Sequence, residues 1–180
     1  MTKFTKSPKI WVGCPAAYNN GYLHGSWINL EECNFDIEIV QKEIDEILKT
    51  SPIKNCDEWE IFDKENCPYN TDDLESLLMD LEIISISDFD PELIAEVQDN
   101  LGHDKIEDTL EFMEENYLGE FESVEDYAIS FIEDCYGKDF MPKGLEGYFD
   151  YEGYAKELEN GGDIFTVQQG YKSVHIFSNR

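Results

Sequence analysis

Aspartate and glutamate are missing from the first 30 residues, and lysine and arginine are scarce everywhere: 13 bases face 41 acids, a formal charge of −28 on 180 residues. A surface that negative repels phosphate, and no basic stripe exists to offset the repulsion, so direct binding of nucleic acid is excluded. Long apolar runs are absent too. Nothing approaches the roughly 20 apolar residues that a bilayer-spanning helix requires, and the segment from Met1 to Trp11 lacks the apolar stretch of a signal peptide. The expectation is a soluble, cytoplasmic protein with no membrane attachment.

Cysteine is sparse as well. Cys14, Cys33, Cys56, Cys67 and Cys135 are odd in number and never reach C-x-x-C spacing, which reads as reduced thiols that pack as small hydrophobes. His24, His103 and His175 are too scattered to build a structural zinc site with them. The chain contains no G-x-x-x-x-G-K-[ST], G-x-S-x-G, H-E-x-x-H or G-x-G-x-x-G. Asp88 to Glu92 imitates the opening of a calcium loop, but Leu93 stands where that loop needs glycine and Asp99 where it needs its bidentate glutamate. Pairs of carboxylates occur by chance in so acidic a chain and mean little for acid/base chemistry. No catalytic residue, metal ligand or cofactor is therefore assigned.

What is present is a core and a very uneven charge. Hydrophobic residues make up 41% and aromatics 13%, too many for the composition that keeps acidic chains disordered. One or two small domains fit the length. All 41 acids lie between Glu31 and Asp163, and from Glu65 to Gly137 there are 23 acids and one base, Lys105. Ordinary surfaces mix both signs and gain ion pairs by doing so, so this stretch forgoes a stabilisation that others use.

The residue pattern predicts an α+β fold. Lys9 to Cys14 reads as a strand, Tyr18-Asn19-Asn20-Gly21 as a tight turn, and Tyr22 to Leu30 as a second strand. A helix follows over Phe35 to Lys49 with Ile39, Val40, Ile44, Ile47 and Leu48 on one face, then a half-buried strand over Glu58 to Phe62. The middle reads as helices only. Thr71 caps one carrying Leu74, Leu77, Leu78 and Leu81, and Asp90-Pro91 opens another that Gly102 stops. Capping-box spacing at Asp104 to Glu107 and Ser123 to Asp126 starts two more, with apolar Ile106, Leu110, Met113 and then Val124, Ala128, Phe131, Cys135 facing inward. A last helix over Asp150 to Leu158 leads into a hairpin of Asp163 to Gln168 and Tyr171 to Phe177.

The acids on these helices recur every three or four residues, about 4.5 to 6 Å along the axis at 1.5 Å per residue. Duplex DNA carries one charge per roughly 1.7 Å, so 28 charges correspond to about 48 Å of duplex. A partner should be positive, and rows of acids on adjacent helices can imitate phosphates.

Three segments resemble a known family in its own order. Ile10-Trp-Val-Gly-Cys-Pro-Ala-Ala-Tyr18-Asn-Asn-Gly21-Tyr-Leu-His-Gly25-Ser-Trp27 resembles the opening of the ArdA antirestriction proteins, with a Tyr, two glycines and a Trp at the family's spacing. Phe121 to Ala128, with Glu133-Asp134, is similar to the acidic helix of their antirestriction motif. Pro142 and then Tyr148 to Leu158 resemble the family's Y-x-D-Y-x-x-Y-A segment. The likeness runs from about residue 9 to residue 177.

It implies three small domains in an elongated curved chain, mixed αβ units at both ends and an all-helical middle. Their bounds would be 1–69 with a three-stranded antiparallel sheet, 70–118 with the acidic helices, and 119–180 with the antirestriction motif and the contact of a homodimer. It further implies a DNA mimic, usually of a mobile element, that competes for the basic groove of a type I restriction-modification enzyme at its methyltransferase core. The phosphate-mimicking acids would be Asp72, Asp73, Glu75, Glu107, Asp108, Glu111, Glu114, Glu115, Glu122, Glu125, Asp126, Glu133 and Asp134. Tyr18, Trp27, Tyr148, Tyr151 and Tyr154 are expected to pack rather than bind. The alternatives are an acidic inhibitor or chaperone of another basic protein, and an enzyme with a carboxylate-held metal.

Overall fold

The computed structural model describes residues 4–54, 56–67, 71, 73–137, 142 and 144–179. Two compact units divide the chain, Met1–Ala95 and Glu96–Arg180. Among the described residues there are seven α-helices and two three-stranded sheets, an α+β fold.

The first unit is built on strand β1 (Lys9–Gly13), which lies between β2 (Gly25–Asn29) and β3 (Glu60–Glu65), both pairings antiparallel. Alternation along β1 buries Ile10 and Val12 on one face and turns Trp11 to the other. Helix α2 (Ile37–Lys49) packs near β1 and β2 with Val40 and Ile44 fully buried, and Asp36 caps it by accepting from the Glu38 and Ile39 amides. Ile39, on the expected apolar face, is exposed.

Three sequence expectations are corrected in this unit. The turn at Tyr18 to Gly21 forms, the Gly21 amide donating to the Tyr18 carbonyl at 2.9 Å, but it does not join β1 directly to β2. Cys14 begins a short helix α1 (Pro15–Asn19), its Sγ accepting from the Ala17 amide and Pro15 supplying the preset φ of a first helical position, and Gly21 turns the chain with φ +82° only after it. Cys14 is also not a free thiol: antiparallel pairing of β1 with β3 brings it to Cys56, 42 residues away, in a disulfide with the Cα atoms 6.6 Å apart. Spacing cannot reveal such a partner, because it depends on which strands meet. Third, α3 (Leu74–Ile86) is capped by Asp73, whose Oδ2 accepts from the Ser76 amide, while Thr71 accepts one residue earlier, from the Asp73 amide. Its Leu74, Leu77, Leu78, Leu81 and Ile84 are buried.

Helix α4 (Pro91–Leu101) starts as its Asp-Pro pair predicts, Asp90 Oδ1 accepting from the Glu92 and Leu93 amides, and ends at Gly102 with φ +68°. The boundary between the units falls within it.

The second unit holds α5 (Ile106–Asn116), β4 (Tyr117–Phe121), α6 (Val124–Tyr136), α7 (Tyr151–Asn160), β5 (Ile164–Gln168) and β6 (Val174–Ser178), with sheet order β4-β6-β5, all antiparallel. Strand β6 is central and buried on both faces from Val174 to Phe177. Val174, Ile176 and Ile164 meet Tyr127 and Ala128 of α6 and Ala155 and Leu158 of α7 on one side. Phe177 and Phe165 meet Phe112 of α5 on the other, ring centroids 5.9 and 6.4 Å away. The sheet is thus a partition with α5 on one face and α6 with α7 on the other.

Strand β4 departs from the expectation of helices only over 70–118. Two helix starts also differ in their chemistry. Ser123 caps α6 as its box spacing predicts, accepting from the Asp126 amide at 3.1 Å and donating to the Asp126 carboxylate at 2.6 Å. Asp104 does not cap α5; Lys105 occupies that position without a side-chain hydrogen bond. Cys135 is exposed, not part of the apolar face of α6, where Tyr127 and Ile132 are buried instead.

Candidate partner-binding surface

The helical period decides where the acids go. In α5, Ile106, Thr109, Leu110 and Met113 are buried, and the positions between them put Glu107, Asp108, Glu111, Glu114 and Glu115 in solvent. In α6, burial of Tyr127, Ala128 and Ile132 leaves Glu125, Asp126, Glu133 and Asp134 exposed, and Glu122 lies just before the cap. Asp73 and Glu75 are exposed at the start of α3. Asp72 lies outside the described residues. Every described member of the candidate set is on the surface.

They are not equivalent there. From Ile106 to Tyr136 the sequence holds 11 acids and no lysine or arginine, so most of these carboxylates face water alone. Glu122 is different: Lys172 Nζ reaches its Oε2 at 2.6 Å, and the carboxylate raises the Lys172 pKa through that hydrogen bond. Asp73 caps α3 and Asp126 holds the Ser123 cap of α6, and the Ser76 hydrogen bonds keep the Asp73 carboxyl below its ordinary pKa. Those two acids are needed by the fold whatever else they do.

The arrangement also departs from rows on neighbouring helices. The row on α5 and the row on α6 are on opposite sides of the second sheet, because α5 covers its Phe165/Phe177 face and α6 its Val174/Ile176 face. Exposed acids outside the candidate set share the same helical logic: Glu92, Glu96 and Asp99 follow one another on α4 at spacings of four and three. That spacing was readable in the sequence. Glu120, in β4, was not, and it accepts from Ser173 Oγ at 2.7 Å.

The aromatic residues read as packing groups divide. Tyr154 packs against the core of the second unit and Tyr151 is half-buried. Tyr18 and Tyr148, by contrast, are 60% and 85% exposed, and Trp27 is 37% exposed. None of the three is buried in a core; Tyr18 lies against the Phe62 ring at 5.3 Å and Trp27 against Trp11 at 5.7 Å on the outer face of the first sheet.

Among the described residues no three His, Cys, Asp or Glu side chains converge to hold a metal ion, and no helix is long and apolar enough to cross a membrane. His175 is buried with its Nδ1 2.9 Å from the Tyr117 hydroxyl, a contact that orders β4 against β6. Compared with known proteins, residues 10–173 match the family model described as antirestriction protein (ArdA). No curated protein matches the chain.

Proposed function

The chain belongs to the ArdA antirestriction protein family, and from that premise we propose that it disarms type I restriction-modification enzymes by imitating DNA in their basic groove. Membership makes it an antirestriction protein, an inhibitor of restriction-modification enzymes and not an enzyme itself. The finer reading is supported by one observation above all: helices α5 and α6 bury their apolar sides and present nine acids to solvent, with no lysine or arginine between Ile106 and Tyr136. A groove lined with lysine and arginine meets there what it meets on duplex DNA, fixed negative charge with little positive charge to compete for it.

Binding spread over many carboxylates makes no single one decisive. A fluorescent DNA duplex bound to a purified type I methyltransferase core should be displaced by the wild-type protein. Changing Glu125, Glu133 or Asp134 singly to the amide should alter inhibition by a few-fold at most, and changing them together with the α5 acids should weaken it strongly. Failure of the wild type to displace DNA would refute the mimic, and total loss from one substitution in a folded protein would refute the distributed surface. The homodimer, the three-part division at 1–69, 70–118 and 119–180, a cytoplasmic site of action and carriage by a mobile element belong to the same proposal. Sedimentation at two protein concentrations tests the dimer.

A further inference from the structure

The outer face of the first sheet carries a built cleft that the acidic surface does not explain. Two glycines, Gly13 and Gly25, pair across β1 and β2 beside it. A Cβ on Gly25 would lie 2.5 Å from the Val12 carbonyl oxygen and 2.9 Å from Trp11 Nε1, and one on Gly13 would lie 2.9 Å from the His24 carbonyl oxygen and 3.0 Å from the Phe62 ring. No Cβ fits at either position, so the Trp11 and Phe62 rings rest directly on the strands there. Its walls are aromatic. Trp11 and Trp27 are partners across β1 and β2 and meet edge to face at 5.7 Å, and Tyr18 of α1 lies 5.3 Å from Phe62.

A β-bulge completes it. Trp11 pairs with Asp63 but Val12 with Ile61, so Phe62 is the extra residue of β3 and is turned outward over Gly13, on the same face as Asp63. The result is a cleft of about 440 Å³ lined by Trp11, Tyr18, Leu23, His24, Trp27, Phe62 and the Asp63 carboxylate, with His24 Nε2 engaged by Thr50 Oγ1 at 3.1 Å. The neighbouring cation is directed away, Lys64 donating its Nζ to the Thr71 carbonyl. Asp63 Oδ1 accepts from the Lys64 amide at 2.8 Å, and no side-chain cation pairs with Asp63 among the described residues.

Aromatic faces beside an uncompensated carboxylate attract a cation, and a planar guanidinium stacks on indole better than an ammonium does. We propose that this cleft receives an arginine side chain of the basic partner, stacked on the tryptophans and ion-paired with Asp63. The proposal rests on the reading of a cationic partner given above. Charge complementarity selects that occupant: nucleic acid is repelled by the field of a chain with 13 bases and 41 acids, and the contact proposed for a second copy lies in residues 119–180, away from this sheet.

The test uses the full chain and its three tryptophans, of which Trp59 does not line the cleft. Indole N–H resonances, assigned with Trp11→Phe and Trp27→Phe, are followed at physiological salt during titration with N-acetyl-arginine amide and, separately, with its neutral isostere N-acetyl-citrulline amide. The expected result is a saturable shift of the Trp11 and Trp27 signals with the arginine compound, little movement of Trp59, and an affinity about threefold lower in Asp63→Asn, a surface change that leaves the core alone. Equal shifts with citrulline amide, an unchanged affinity in Asp63→Asn, or signals that move with protein concentration alone as a second copy would make them, each overturns the proposal. In the DNA-displacement assay, Trp27→Ala with an unaltered circular dichroism spectrum should need about tenfold more protein, and undiminished inhibition overturns it. If the wild type displaces no DNA yet the indoles answer to arginine amide, the mimic falls and the cleft stands.

Discussion

At the scale of single residues, the thiols give the sharpest expectations. Burial pushes the Cys67 thiol up to about 11 from 9.0 and also raises Cys33, with Glu43 and Glu32 adding to the latter. Cys135 is exposed. Iodoacetamide at pH 8 should therefore label Cys135 first, and in denaturant without reductant mass spectrometry should count three alkylated cysteines, rising to five once Cys14–Cys56 is reduced. Stability should follow the same groups. Because the fold favours the protonated thiol, the unfolded chain releases its proton first as pH rises, and stability present below about pH 9 is lost toward pH 11. Lys49, Lys156 and Lys172, all raised by hydrogen bonds to glutamates, shift stability in the same direction. Urea midpoints at pH 8 and pH 10.5 check the sign. Caps were legible at this scale where one residue type supplies the whole mechanism, as at Asp90 and Ser123. They were not where two candidates compete, as Thr71 and Asp73 do, and the Cys14 pairing needs tertiary structure.

Among the elements, long amphipathic helices were legible and short strands of low contrast were not. Helix α2 and the buried leucines of α3 follow directly from their spacing. Strand β4 did not announce itself because Tyr117-Leu-Gly-Glu-Phe121 is five residues long, contains a glycine at φ +131°, and adjoins a helix without a break. Only pairing with β6, more than fifty residues later, makes it a strand. Strand β6 should accordingly be the least tolerant element. Phe177→Ala removes a fully buried ring that touches Phe112, Phe165 and Tyr117, and an expected loss of about 3–5 kcal/mol would show as a lower urea midpoint. Glu111→Gln on the solvent side of α5 should move the midpoint by less than about 0.5 kcal/mol. The candidate surface was legible in the same partial way. Acids at helical spacing can be read from the chain, but the sheet that separates α5 from α6 depends on strands that the sequence hardly marks.

For the whole molecule, the decisive quantity is the charge of −28. Screening relieves internal repulsion, so thermal midpoints should rise as salt goes from about 10 to 150 mM, where the Debye length falls from about 30 to 8 Å. Affinity for the methyltransferase core should fall over the same range, as it does for DNA. Opposite trends in the two measurements identify a surface tuned for a partner at the expense of its own stability, and parallel trends would contradict that. Acidic rows that face away from each other cannot both lie on a flat plate, so a partner must close on the second unit from two sides to feel both. If the DNA mimicry proposed above holds, an enzyme already closed on duplex has no room for the protein, and inhibition should be swift when the protein meets the enzyme first and slow, limited by DNA release, when the order of mixing is reversed.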